Sequence, residues 1–198
     1  MQFALKNLEL PVRIRLERPM TDEELMRFCA ENELLRVERD ANGELIVMTP
    51  TGSQGSGRNS EIITDLVIWA RKDGRGKVFD SNGGFTMPDG SMRAADAAWV
   101  SWRRWNALTH EQQEGFAPLC PEFVIELRSA SDRLPELQAK MQMWLANGAE
   151  VAWLIDPSRK TVEVYRAGRV VVVLVGGCAV VGDGVMAGFE LELARIWA

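Results

Sequence analysis

The central feature of the sequence is Phe123-Val124-Ile125-Glu126-Leu127-Arg128, a compact apolar segment that ends in charge. Its large apolar residues are typical of a buried β-strand. Residues 134–147 follow with apolar side chains at helical spacing and end at Asn147-Gly148, a typical helix C-cap. Residues 151–155 are then almost continuously apolar, as expected of a strand buried on both faces. The sequence therefore predicts a strand, a helix and a second buried strand in succession.

Caps, turns and periodicity place the remaining elements around this unit. They are, in chain order, a helix at 21–32, a hairpin at 34–48, a loop at 49–57, a helix at 60–72, short strands at 77–100 and a second hairpin at 161–175. Helices and strands that mix in this way favour two packed layers. We expect an α/β domain over residues 20–198, with a mixed central β-sheet flanked by helices. Residues 1–19 are predicted to form an N-terminal arm or an edge strand.

Composition limits the classes of protein to which the chain can belong. Its 198 residues are 46% hydrophobic and 26% charged, the balance of a globular protein. No apolar stretch is long enough to span a bilayer, and the N-terminus does not resemble a signal peptide, so we predict a cytoplasmic protein without a membrane partner. Three widely spaced cysteines exclude a disulfide framework. The net charge of −5 argues against a protein that coats nucleic acid by charge alone.

Two acidic residues at strand ends are the candidates for chemistry. Asp96 precedes the apolar segment 97–100, and Glu126 lies within an apolar strand. A carboxylate in such a strand is costly unless it is paired or bound to a cation. Mg²⁺ commonly binds one or two carboxylates together with water and substrate phosphate. The alternatives are a salt bridge from Glu126 to Arg128 or Lys140, and a turn role for Asp96.

The sequence also resembles a known family, which is called Uma-two. The resemblance extends over about residues 20–198 and rests on the order of several segments. These segments are Arg93-Ala94-Ala95-Asp96-Ala97, Val124-Ile125-Glu126-Leu127-Arg128-Ser129-Ala130-Ser131-Asp132, Gln138-Ala139-Lys140, Asn147-Gly148 and Trp153-Leu154-Ile155-Asp156-Pro157. The family has a restriction-endonuclease-like fold of the PD-(D/E)XK nuclease superfamily. The resemblance therefore implies this fold and a nuclease-like site.

The resemblance implies a role for each residue that matches the superfamily motifs. Asp96 and Glu126 match the two acids that bind the metal, and the backbone of Leu127 matches the carbonyl that often joins them. Glu61 fits the helix acid that often completes the site. The superfamily lysine would fall at Arg128, and an arginine cannot act as a base at neutral pH.

Two residues can compensate for the missing lysine. Lys140, on the predicted helix, is a candidate for a migrated lysine, with a solvated surface lysine as the alternative reading. Arg128 can still orient a phosphate. Gln138 on the same helix is a further candidate to face the site.

These features predict an endonuclease that hydrolyses DNA phosphodiesters with Mg²⁺ or Mn²⁺. A homodimer is expected by analogy with enzymes that cut both strands. The rival hypothesis is a non-catalytic nucleic-acid-binding or regulatory module that keeps the nuclease fold. Arg128 and the acidic net charge favour the rival, whereas the intact pair of carboxylates favours the enzyme.

Overall fold

A six-stranded mixed sheet forms the centre of the protein. The computed structural model describes residues 11–48 and 51–198. The strands lie in the order β11-β10-β9-β8-β7-β4, and only β8 and β9 run parallel. They are β4 (Gly76–Asp80), β7 (Ala97–Ser101), β8 (Phe123–Leu127), β9 (Val151–Asp156), β10 (Thr161–Arg166) and β11 (Val172–Val175). The α/β fold with a mixed central sheet is thus confirmed.

Helix α5 (Leu134–Ala146) is the crossover between the two parallel strands. Two parallel strands require such a connection, because the chain must return to the end of the sheet at which the first strand began. The predicted succession of strand, helix and strand is therefore confirmed. Asp132 is a residue type that favours an N-cap just before this helix, but Arg133 holds that position, and the Asp132 carboxylate accepts the amide of Ser129.

A second, five-stranded sheet lies in the order β1-β3-β2-β6-β5. Its strands are β1 (Val12–Ile14), β2 (Arg36–Arg39), β3 (Leu45–Met48), β5 (Phe85–Thr86) and β6 (Met92–Arg93). The hairpin predicted at Asn42-Gly43 is present, and Gly43 has the positive φ of 81° that this turn needs. Within the predicted arm, Val12–Ile14 is an edge strand, and residues 1–10 lie outside the described part. The division at residue 19 stays a prediction.

The remaining elements cover the two sheets. They are helices α1 (Asp22–Glu31), α2 (Ser53–Asp73), α3 (Trp102–Trp105), α4 (His110–Glu114) and α6 (Ala194–Trp197), a 3-10 turn at Gly184–Met186, and strands β12 (Ala179–Val181) and β13 (Glu190–Glu192). Among the described residues, no helix is both long and apolar enough to cross a membrane.

Helix α2 begins earlier than the sequence predicts. Residues 53–57 belong to it, so the predicted loop at 49–57 is wrong over these positions; residues 49–50 lie outside the described part. Glycines and serines disfavour a helix intrinsically, but packing overrides that preference. Ile62 and Leu66 are fully buried, and Gln54 and Arg58 donate to the carbonyl oxygen of Ala198.

Aromatic rings fill the core on the α2 face of the central sheet. Phe189 is fully buried, stacks on Trp153 with ring centroids 5.5 Å apart, and meets Phe123 edge to face.

We expect Phe189→Ala to lower the free energy of unfolding by about 3–5 kcal/mol, because it leaves a cavity among rings that cannot collapse. Urea titration measures the loss. The half-exposed Trp102 is the control, and an equal loss in Trp102→Ala would contradict this account of the core.

Candidate active site

The two predicted acids lie opposite each other on adjacent strands. Strands β7 and β8 are antiparallel with Ala97 opposite Ile125, so continuing this register places Asp96 opposite Glu126. Residues opposed in this way have Cβ atoms about 5 Å apart and face the same side of the sheet. Asp96 is further fixed by the amide of Leu127, which donates to its Oδ2 at 2.8 Å. The sequence-predicted pair is therefore brought together.

Helix α5 supplies two side chains to the same carboxylate. Lys140 Nζ lies 2.9 Å from Glu126 Oε1, and Trp144 Nε1 donates to that same oxygen at 2.9 Å. The two residues are four positions apart and so share one face of the helix. Lys140 is only 18% exposed, which excludes the alternative of a solvated surface lysine. The salt bridge between Glu126 and Lys140, which was the alternative to metal binding by Glu126, is present.

A third acid, which the sequence analysis missed, completes the cluster. Glu38 of β2 pairs with Lys140 at 2.9 Å and with Arg93 at 2.8 Å, and it accepts the amide of Ala94. The Glu38 side chain is buried. The alternation of side chains along a hairpin strand would instead favour an exposed position for it. Arg36, two residues earlier and thus on the same face of β2, lies 3.7 Å from Asp96 Oδ1. The five-stranded sheet therefore closes one side of the site.

Burial and neighbouring charges shift the pKa values of these groups in opposite directions. Burial raises the pKa of Glu126 to about 7, although Lys140 opposes the shift. Burial also raises the pKa of Asp96, and the Leu127 amide opposes it. For Glu38, burial is outweighed by Lys140 and Arg93, which lower its pKa to about 2. Lys140 is held protonated, because Glu126 and Glu38 raise its pKa against the effect of burial.

Two other predicted residues are engaged elsewhere. The Arg128 guanidinium pairs with Asp156 at 2.6 Å and donates to the carbonyl of Asp132. Glu61 pairs with Arg195 near the C-terminal helix. Neither contact joins these residues to Asp96 or Glu126.

Gln138 is also turned away from the two acids. Its amide donates to Glu163 on the other flank of α5. From α2, the residue that does reach the site is Asn59, whose amide donates to the backbone oxygen of Asp96. Lys140 is thus the basic residue that the fold delivers to Glu126.

The oxygen atoms at the site fit a hard divalent cation. The polar contacts of Glu126 with Lys140 and Trp144 both use Oε1, which leaves Oε2 for a ligand. Asp96 uses Oδ2 for the Leu127 amide, and its Oδ1 lies 3.7 Å from Arg36. Asn59 Oδ1, beside Asp96, is buried with no hydrogen-bond partner. No group of three metal-ligating side chains occurs within residues 11–48 and 51–198. Mg²⁺, which keeps several waters, is compatible with only two carboxylates.

Glu38→Gln is expected to lower the free energy of unfolding at neutral pH by about 3–5 kcal/mol, since it leaves buried Lys140 and Arg93 without their shared partner. The wild-type carboxylate has a lowered pKa, so its contribution is complete above pH 4.5 and is lost as pH falls towards 2. The difference between variant and wild type should shrink over that range. Denaturation by urea at several pH values measures it.

A matched carboxylate on the surface provides the control for this variant. Glu136 pairs with Arg133, and both side chains are largely exposed. Glu136→Gln should change the free energy of unfolding by less than about 1 kcal/mol. A Glu38→Gln variant as stable as this control would show that the buried ion pairs do not hold the two sheets together.

Comparison with known proteins identifies a family and solved structures with a related fold. The Uma2 (Uma-two) family model, described as "Putative restriction endonuclease", matches residues 22–194. A solved structure described as a "putative nuclease belonging to DUF820", from Anabaena variabilis, superposes with a TM-score of 0.72. It is 22% identical, and the match covers 90% of this chain and 98% of that one. No curated protein is significantly similar to the chain.

Proposed function

Because this chain belongs to the Uma2 family of restriction-endonuclease-like proteins, we propose that it is an endonuclease that hydrolyses DNA with the help of Mg²⁺ or Mn²⁺. The observation that carries the proposal is the convergence of Asp96, Glu126 and Lys140 at one end of β7 and β8. Two acids can hold the divalent cation that assists phosphodiester hydrolysis, and a protonated amine can stabilise the negative charge that develops.

The ligand set that we propose is Asp96 and Glu126, with the carbonyl of Leu127 as the third donor. Asp96 and Glu126 would hold a divalent cation, which would supply Lewis-acid polarisation of the scissile phosphate and lower the pKa of the attacking water. The Leu127 amide keeps Asp96 oriented, and the Trp144 indole does the same for Glu126. Held side chains lose little entropy when a ligand arrives, so these two hydrogen bonds prepare the site for the ion.

Lys140 is the residue that we propose for charge stabilisation. Its ammonium group stays protonated and lies against Glu126, so it can stabilise negative charge that develops on a phosphate bound there. Arg36 is the second cation at the site and can contact the phosphate backbone of DNA. We further propose a cytoplasmic homodimer, in keeping with cleavage of both strands.

The rival proposal is a nucleic-acid-binding or regulatory module without catalysis. The observation in its favour is the complete ion-pair network of Lys140, which bonds to Glu126, Glu38 and the carbonyl of Ala94. Such a network is also what a purely structural buried lysine needs.

Cleavage of supercoiled and single-stranded DNA in Mg²⁺ or Mn²⁺ tests the proposal. We expect wild-type protein to cut at least one of these substrates and Asp96→Asn to lose about 100-fold or more in rate, since it removes a ligand charge. Asp183→Asn is the control, because Asp183 is half-exposed and pairs with Arg166, which lies opposite Val151 at the other end of the sheet. Well-folded wild type that cuts neither DNA would favour the rival.

A further inference from the structure

Among the buried carboxylates of the described residues, Glu163 of β10 differs in having no positively charged partner. Its neighbours are neutral: Gln138 donates its Nε2 to the carboxylate, and the Tyr165 hydroxyl donates to Oε2. The other buried carboxylates each pair with a lysine or an arginine; they are Glu38, Asp40, Glu122, Glu126 and Asp156. A buried charge is costly unless it is paired. The cation that would pair with Glu163 is therefore to be sought outside the described residues.

Glu163 lines an open groove between α5 and the last two strands of the central sheet. The groove has a volume of about 470 Å³, which is enough for a small molecule. Gln138 and Gln142 of α5 line one side of it, and Val171 and Val173 line the other. Val173 lies opposite Glu163 in the pairing of β10 with β11, so the two side chains share one face of the sheet. The groove thus combines one carboxylate, an amide wall and an apolar wall.

The oxygen acceptors of the groove suit a particular class of cation. Gln138 uses its Nε2 for Glu163, so its Oε1 is available as an acceptor. Gln142 follows four positions later on the same side of α5, and its amide adds a second such oxygen. Tyr165 remains a donor towards Glu163, since burial and the carboxylate both raise its pKa. One carboxylate and two amide oxygens match the three N–H donors of a primary ammonium group.

We propose that this groove binds a small primary alkylamine in its alkylammonium form. The ammonium group supplies the cation that Glu163 lacks, and the alkyl chain packs on Val171 and Val173. Val173 is 54% exposed, so this contact removes apolar surface from water. Divalent metal ions fit the groove less well, because they take several oxygen ligands and keep bound water, whereas one wall here is apolar.

The groove uses none of the residues that we propose for metal binding or charge stabilisation. Gln138 and Gln142 lie on the flank of α5 that faces β10, whereas Lys140 lies on the flank that faces Glu126. Amine binding therefore does not depend on DNA cleavage, and failure of the nuclease assay leaves this proposal unaffected.

NMR spectroscopy of Tyr165 tests the proposal. Tyr165 is the only tyrosine of the chain, so ¹³C-labelled tyrosine gives one ring system to observe beside Glu163. Titration with n-butylammonium chloride at constant ionic strength should shift its signals to saturation, with a millimolar dissociation constant. n-Butanol has the same chain length without the charge and should leave them in place. Signals that shift equally with n-butanol, that respond to MgCl₂ instead, or that do not move with n-butylammonium would overturn the proposal.

Two glutamine variants separate ligand binding from folding. Glu163→Gln should raise the dissociation constant for n-butylammonium by at least about 10-fold, because it removes the charge that pairs with the ligand. Glu190→Gln, which changes an exposed strand carboxylate, is the matched control and should leave that constant unchanged. Equal binding by the two variants would contradict the proposed role of Glu163.

Urea unfolding of Glu163→Gln tests the other explanation, in which the carboxylate serves the fold. Glutamine keeps an acceptor for Tyr165 and removes a buried charge that has no cation. The variant should therefore be at least as stable as wild type. A loss of stability as large as that expected for Glu38→Gln would show that the carboxylate is structural and would overturn the proposal.

Discussion

Replacing Glu126 by glutamine is expected to abolish metal-dependent DNA cleavage, with a loss on the order of 1,000-fold in rate. Glutamine keeps the shape of the side chain and an oxygen that can accept from Trp144, but it removes the charge that would bind the cation. Because burial already disfavours the charged form of Glu126, the metal-free variant should be about as stable as wild type. The substitution therefore separates metal binding from folding.

Thermal unfolding with and without Mn²⁺ measures this separation directly. A cation that binds only the folded state raises Tm, so wild type should gain stability and Glu126→Gln should gain none. Glu190→Gln, which changes an exposed carboxylate of β13, should keep both the Mn²⁺ effect and the cleavage activity. An Mn²⁺-induced rise in Tm that survives in Glu126→Gln would remove Glu126 from the ligand set.

Lys140→Met is expected to have the second largest effect, and it acts on both stability and activity. Methionine has a similar length but leaves Glu126 and Glu38 facing each other without the ammonium group that now lies 2.9 Å from each. We expect the free energy of unfolding to fall by about 3–5 kcal/mol, the usual cost of uncompensated buried charge. Cleavage should fall by about 100-fold or more, since the charge on the phosphate loses its stabilising partner.

The control variants distinguish a catalytic lysine from a structural one. Lys72→Met, at the exposed end of α2, should leave both the free energy of unfolding and the rate of DNA cleavage unchanged. Lys140→Arg keeps a positive charge between the two acids and should recover much of the stability. If Lys140→Arg also recovers full cleavage, any positively charged side chain buried at this position is sufficient for catalysis. If Lys140→Met is stable and active, the site that we propose is wrong.

Much of the architecture could be predicted from local patterns. The apolar segment 123–127, the helix after it and the apolar run 151–155 are set by hydrophobic periodicity, which depends only on near neighbours in the chain. Asp96 and Glu126 were identifiable in the same way, because a carboxylate beside or within an apolar strand is unusual. The start of α2 was not predictable, since its glycines and serines are helical only through contacts with residues far along the chain.

The partners of the site residues, by contrast, were decided by the tertiary structure. Glu38 and Lys140 are 102 positions apart, and only the tertiary fold brings β2 and α5 together at this ion pair. Arg128 has a favourable position in the sequence, yet the parallel pairing of β8 with β9 offers it Asp156 instead. Local sequence is enough to show which residues are acidic or basic and which of them belong to a buried strand. Which charge neutralises which other charge depends on distances across the fold, and local patterns contain no information about those distances.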